Sequence, residues 1–173
     1  MAIGTGEKAP DFDLEERFDA PRVRLSDYLG RTNLLLVFHP FAWTPVCAEE
    51  ALDLQDNLES FRNANTEVLF VSCDTSAARQ AWKAELGADY TFASDFWPHG
   101  AAARSYGVFD EAAGAAVRGT FLIDESGTVI WSLVNDGDTR RTELVCESLA
   151  AEADEGSRHA SDGGPAPASL DAR

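Results

Sequence analysis

LLLVFHPFAWTPVCAEE, residues 34–50, joins a dense apolar run to a cysteine that falls where a helix begins. The run Leu34–Phe38 is too short to span a bilayer and apolar enough for a strand buried on both faces, as in a parallel sheet. Pro40 ends it. Thr44 suits an N-cap, and Pro45 suits the first helical position, where its missing N–H costs nothing. Cys47 then occupies the third helical position, where a capping box would carry Glu or Gln. Unpaired N–H groups and the positive end of the helix dipole favour an anion there. The pattern predicts a thiolate.

Outward from this stretch, apolar residues at Ala51, Leu54, Leu58 and Phe61 draw one buried face on a long helix. Val68–Val71 reads as a second strand, parallel to the first, which completes a βαβ unit. Upstream, Gly6–Leu25 holds short apolar pieces between Pro10 and Pro21 and predicts a small strand or hairpin, followed by a capped helical turn over Leu25–Gly30. Downstream, Ser76–Leu86 with Gly87 as its stop predicts a helix. Ser94–Gly100 reads as a loop unusually rich in aromatic residues, and a short helix ends at Gly107. Gly119–Asp124 and Thr128–Val134, separated by Glu125-Ser126-Gly127, predict a hairpin that adds antiparallel character to the sheet. Thr139–Ala151 carries the pattern of a closing helix. The fold class is α/β, a central mixed sheet flanked by helices.

The 173 residues suit one domain, residues 1–151, followed by an Ala/Gly/Ser/Pro/Asp tail, residues 152–173, too poor in large apolar groups to build a core and expected to be disordered. The net charge is −16, of which −13 lies outside the tail, so the acidity belongs to the body. That charge argues against nucleic acid or an anionic membrane as partner, since both are polyanions. Three cysteines without a CxxC suit a reducing compartment, and acids near the N-terminus interrupt any signal-like core, so a soluble cytoplasmic protein is expected.

A free thiol, with a pKa near ~8.5, is mostly protonated at neutral pH. The helix start favours ionisation of Cys47, but Glu49 and Glu50 oppose it, so a cation is needed. Arg118, at the lip of a predicted strand, is the candidate, and Thr44 lies on the same turn as the sulfur. The spacing Pro40-x-x-x-Thr44-x-x-Cys47, with Arg118, Ala9-Pro10-Asp11-Phe12, the Ser94–Gly100 loop, Tyr106-Gly107-Val108-Phe109 and Arg118-Gly119-Thr120-Phe121, resembles the peroxiredoxins over roughly residues 3–150. Within that family it is most similar to the AhpE-type, one-cysteine branch.

The resemblance implies a thioredoxin-like fold with Cys47 as the peroxidatic nucleophile, attacking a hydroperoxide and passing to sulfenic acid. It implies that Pro40 shields the sulfur, that Thr44 and Arg118 polarise the peroxide, and that Glu50 positions the arginine. No metal or organic cofactor is required. Trp97 is a supporting candidate, better read as packing, a core plug or dimer contact, than as a substrate wall. Relatives that resolve internally often carry a second cysteine five residues on; here Leu52 stands there, and Cys146 is followed by Glu147 rather than proline. An external thiol is therefore expected as reductant, mycothiol with mycoredoxin or a thioredoxin-like donor, and a homodimer is the family's common form. A peroxide sensor or redox relay using the same cysteine is the alternative. Cys73 and Cys146 read as core packing, His39 as structural filler, and His39, His99 and His159 show no metal-ligand spacing.

Overall fold

A computed structural model of the chain describes residues 1–134. The expected closing helix, Cys146, His159 and the tail lie outside the described residues.

The strand β3, Asn33–Phe38, is the centre of a five-stranded sheet. It pairs in parallel with β4, Thr66–Ser72, which pairs in parallel with β5, Thr91–Ser94. On its other side β3 pairs antiparallel with β8, Gly119–Ile123, and β8 continues as a hairpin into β9, Val129–Val134. The sheet is thus mixed, in the order β5-β4-β3-β8-β9. Outside it, β1 (Asp13–Leu14) and β2 (Val23–Arg24) form a small antiparallel pair and lead into a 3-10 turn over Leu25–Asp27. A second minor pair, β6 (Phe109–Asp110) with β7 (Ala115–Ala116), and the strand β5 are elements that the sequence reading does not anticipate. Each is at most four residues long, too short for a period of two to show.

Because side chains alternate along β3, its apolar run divides between two cores. Leu34, Leu36 and Phe38 face one layer, with Tyr106, Val108, Phe121 and the N-terminal Phe12 and Leu14. Leu35 and Val37 face the other, where helices α1 (Pro45–Asp56), α2 (Leu58–Asn63) and α3 (Ser76–Leu86) pack over Val68, Phe70 and Phe92. Helix α4, Ala101–Ser105, brings Ala102 and Ala103 to the first layer. Burial on both faces explains the unbroken apolar run.

One expectation is corrected here. The long helix after Cys47 is two helices, interrupted at Asn57, whose φ of −98° and ψ of 3° leave helical geometry. The Asn57 side-chain amide donates back to the Asp53 carbonyl at 2.9 Å, a local bond that competes with the helical ladder. The apolar positions Ala51, Leu54, Leu58 and Phe61 remain buried across the break, which is why the periodicity reads as continuous.

Candidate active site

The chain leaves β3 at Phe38, turns at His39 and Pro40, and enters α1 at Pro45. Pro45 holds the first helical position and Cys47 the third, as the sequence predicts. Thr44 sits at the N-cap with extended backbone, φ −84° and ψ 144°, but its hydroxyl does not cap the helix. It donates instead to the Phe41 carbonyl at 3.0 Å, closing the preceding turn. The expected side-chain cap is therefore absent: a loop carbonyl three residues back captures the hydroxyl proton.

Register decides what stands opposite the thiol. Antiparallel pairing of β3 with β8 places Phe38 against Gly119, so the residue before Gly119 emerges beside the loop that follows Phe38. That residue is Arg118. Gly119 has to lack a side chain, since a Cβ there would come within 2.9 Å of Val108 Cγ1. Arg118 Nη2 donates to Cys47 Sγ at 3.2 Å, across a sequence separation of 71 residues. Its Nε lies 3.8 Å from Glu50 Oε2, so the guanidinium bridges acid and sulfur. Cys47 is 1% exposed. Glu49 points to solvent, which leaves Glu50 as the acid that acts within the site.

The loop itself is held from behind. His39 N–H donates to the Val71 carbonyl at 3.0 Å, and Ala42 N–H donates to Asp74 Oδ2 at 2.9 Å. Trp43 adopts φ 58°, a left-handed conformation that costs a bulky residue about 1–2 kcal/mol. Its indole N–H donates to Glu85 Oε2 at 2.9 Å, and its ring lies 6.2 Å from that of Trp82, contacts that hold the strained residue in place.

His39, read from the sequence as structural, is fully buried, stacked on Phe70 at 4.0 Å between ring centroids, and its Nε2 accepts from the guanidinium of Arg79, which is also fully buried. Sequence reasoning passed over Arg79, Asp74 and Glu85. The signal for Arg79 was present, since it shares a helical face with Trp82 at a spacing of three. Asp74 stands just past the carboxyl end of a parallel strand, where α/β sheets commonly place functional groups.

Of the two packing readings of Trp97, the core plug is corrected: Trp97 is 76% exposed and does not plug the core of the described residues, an exposure that a dimer contact accommodates. Pro98 follows it through a cis peptide bond. Cys73 is buried and free, in line with core packing. Burial, then the nearby Asp95, pushes its thiol up to about 11, so it stays protonated at neutral pH and is a poor nucleophile beside Cys47. Among the described residues, no group of three His, Cys, Asp or Glu is placed to hold a metal, and no helix is long and apolar enough to cross a membrane.

A buried thiol on the first turn of a helix, with an arginine donor on its sulfur and a proline at the preceding bend, on a mixed sheet of this order, is the arrangement expected of a thiol-based peroxidase on a thioredoxin-like fold. Residues 5–132 match the AhpC/TSA family, and the chain belongs to that family, the peroxiredoxins, which are peroxidases of the oxidoreductase class. It is 39% identical over 150 residues to alkyl hydroperoxide reductase E of Mycobacterium tuberculosis, covering 86% of this chain and 97% of that protein. The chloroplastic 2-Cys peroxiredoxin BAS1 of Spinacia oleracea is 37% identical over 156 residues, covering 84% of this chain and 58% of that protein. Among solved structures, peroxidoxin BcpB of Mycobacterium tuberculosis superposes with a TM-score of 0.79 at 25% identity, covering 86% of this chain and 97% of that one. AhpC of Enterococcus faecalis superposes with a TM-score of 0.77 at 30% identity, covering 95% and 100%. The resemblance to the AhpE-type branch read from the sequence is borne out.

Proposed function

We propose that this peroxiredoxin reduces hydrogen peroxide and organic hydroperoxides, with peroxynitrite a further substrate, by a one-cysteine cycle that draws on an external thiol. The observation that carries the reading is the 3.2 Å bond from Arg118 Nη2 to Cys47 Sγ. The Cys47 thiolate attacks the terminal peroxide oxygen. The O–O bond breaks, sulfur is oxidised to sulfenic acid, and the departing alkoxide takes up a proton and leaves as alcohol, or as water from hydrogen peroxide; from peroxynitrite the leaving group is nitrite. Arg118 stabilises charge first on sulfur and then on the leaving oxygen. Pro40, at the bend before the helix, limits water. Thr44 contributes once its hydroxyl turns from the Phe41 carbonyl towards peroxide, and Glu50 aims the guanidinium.

A first external thiol then condenses with the sulfenic acid, releasing water and leaving a mixed disulfide on Cys47. A second thiol releases Cys47 and departs as the oxidised disulfide, so two thiols are consumed per peroxide. The donor is mycothiol with mycoredoxin, or a thioredoxin-like protein. Cys73 is unsuited to resolve the sulfenic acid, because its buried thiol is held protonated. Steady-state turnover with a panel of thiol donors tests the cycle. Sustained turnover with an external donor is expected, and mass spectrometry of peroxide-treated protein should show no internal Cys47–Cys73 or Cys47–Cys146 disulfide. Such a disulfide in high yield refutes the one-cysteine cycle. Oxidation without turnover by any donor points instead to a sensor or relay.

The working form is a cytoplasmic homodimer. Phe41, Trp43 and Val46, each between 43% and 49% exposed, form an apolar rim beside the thiol that a second copy would cover. Light scattering is expected to return twice the chain mass; a monomer at micromolar concentration argues against it.

A further inference from the structure

Arg79 is a charged side chain in an apolar place. It projects from α3 into the core layer that also contains Cys47, and it is fully buried. Its guanidinium carbon lies 4.9 Å from the centroid of Phe92, 5.2 Å from that of Phe70 and 5.8 Å from that of Trp82. Phe70 and Trp82 belong to the same cluster as Cys47. Nη2 donates to the Phe70 carbonyl and Nη1 to His39 Nε2, each at 2.5 Å. Because Arg79 can only donate, His39 Nε2 must be the acceptor, and the imidazole is the neutral tautomer protonated at Nδ1.

Among the described residues, the Arg79 Nε has no hydrogen-bond partner. The acids and other ionisable groups around it are otherwise engaged. Asp74 accepts from Ala42 N–H and from Ser72; Tyr90 donates to the Ala51 carbonyl; Glu85 accepts from Trp43; Lys83 faces Glu16; and Glu50 on α1 faces Arg118. A buried cation is costly, so negative charge in the same layer is favoured. Burial pulls the guanidinium down to about 9, still above neutral pH, while Asp74, Tyr90 and Cys47, in that order, favour its charged form.

We propose that Arg79, held by His39 Nε2 and the Phe70 carbonyl, is a positioning residue that supplies a second positive charge to the Cys47 thiolate from beneath the active-site loop. Arg118 touches the sulfur directly, and Arg79 acts through the packed aromatic layer. The same hydrogen bond ties the residue before Pro40 to α3, so the charge and the shape of the bend have one support. The proposal rests on Cys47 being the peroxide-reactive thiol; the peroxide reaction of the parent chain tests that reading, and the thiolate titration below tests Arg79.

The experiment follows the ultraviolet absorbance of the thiolate against pH in the parent, Arg79→Gln and Arg79→Lys, in a background where Cys73 and Cys146 are serine. Arg79→Gln keeps a donor for His39 and loses the charge; its midpoint is expected to rise by about one pH unit, a tenfold loss of thiolate where the thiol is mostly protonated. Arg79→Lys restores the charge and should return most of that shift, which a purely structural role would not do. A midpoint unmoved in a folded Arg79→Gln overturns the proposal, as does a shift that Arg79→Lys fails to reverse. Should Arg79→Gln not fold, Arg79→Met, which fills the same apolar layer without a charge, takes its place under the same two outcomes.

Discussion

Cys47→Ser is expected to abolish peroxide reduction while leaving the fold intact. A hydroxyl is far less acidic than a thiol and does not ionise on the first turn of α1, so no nucleophile of comparable strength remains. The substitution is nearly isosteric, and the buried serine oxygen can still accept from Arg118 Nη2, which donates to the sulfur at 3.2 Å in the parent. The apolar neighbours Ala51, Leu54 and Phe70 keep their packing. Stopped-flow tryptophan fluorescence reads the reaction directly, because Trp82 lies in the layer behind the thiol and the Trp43 ring packs 6.2 Å from it. The parent should show a transient on mixing with peroxide, and Cys47→Ser none, with no sulfenic acid adduct on trapping. Persistent peroxide consumption by the serine variant would move the chemistry to another residue.

Arg118→Ala carries the next largest effect, a loss of about 10²–10³ in the second-order rate with peroxide, the range for removing one preorganised donor from developing charge. Two losses combine. The thiolate loses its hydrogen-bond donor, and Glu50, 3.8 Å from Arg118 Nε in the parent, then opposes ionisation without that guanidinium to offset it. Arg118→Lys should fall between, since an ammonium keeps the charge but cannot bridge Glu50 and sulfur with separate nitrogens. Measuring the rate across pH separates the two losses. A deficit that vanishes at high pH reflects ionisation alone, whereas one that persists reflects stabilisation of the leaving oxygen. A rate within threefold of the parent at all pH values would remove Arg118 from the mechanism.

The comparison of Glu50 with Arg79 shows how far a sequence can be read. Glu50 belongs to a local pattern, three residues after Cys47 on one helix, and its closeness to the thiol follows from helical geometry. Pro45 and Cys47 are legible for the same reason, as are the boundaries of α3, which run from Ser76 to a left-handed Gly87. The Trp97 loop misleads as to the core, because aromatic content suggests burial within the chain, yet Trp97 is 76% exposed. Hydrophobicity states what a side chain gains from burial, not whether a partner surface is present to bury it. Thr44 misleads more subtly, as its type and position suit a cap while the turn at Phe41 offers a competing acceptor.

By itself, the sequence determined the central buried strand, the helix that follows it, the thiol on that helix's first turn and the identity of the cation that should meet it. These depend on contacts a few residues apart, or on a motif that carries its own geometry. Only the tertiary structure decided that Arg118 reaches the sulfur, because that depends on the β3–β8 register, Phe38 against Gly119. Only it placed the buried Arg79–His39 pair behind the bend, since 40 residues separate its members and nothing local links them. Sheet register and helix docking are set by the packing of the whole core, and no window of sequence contains them.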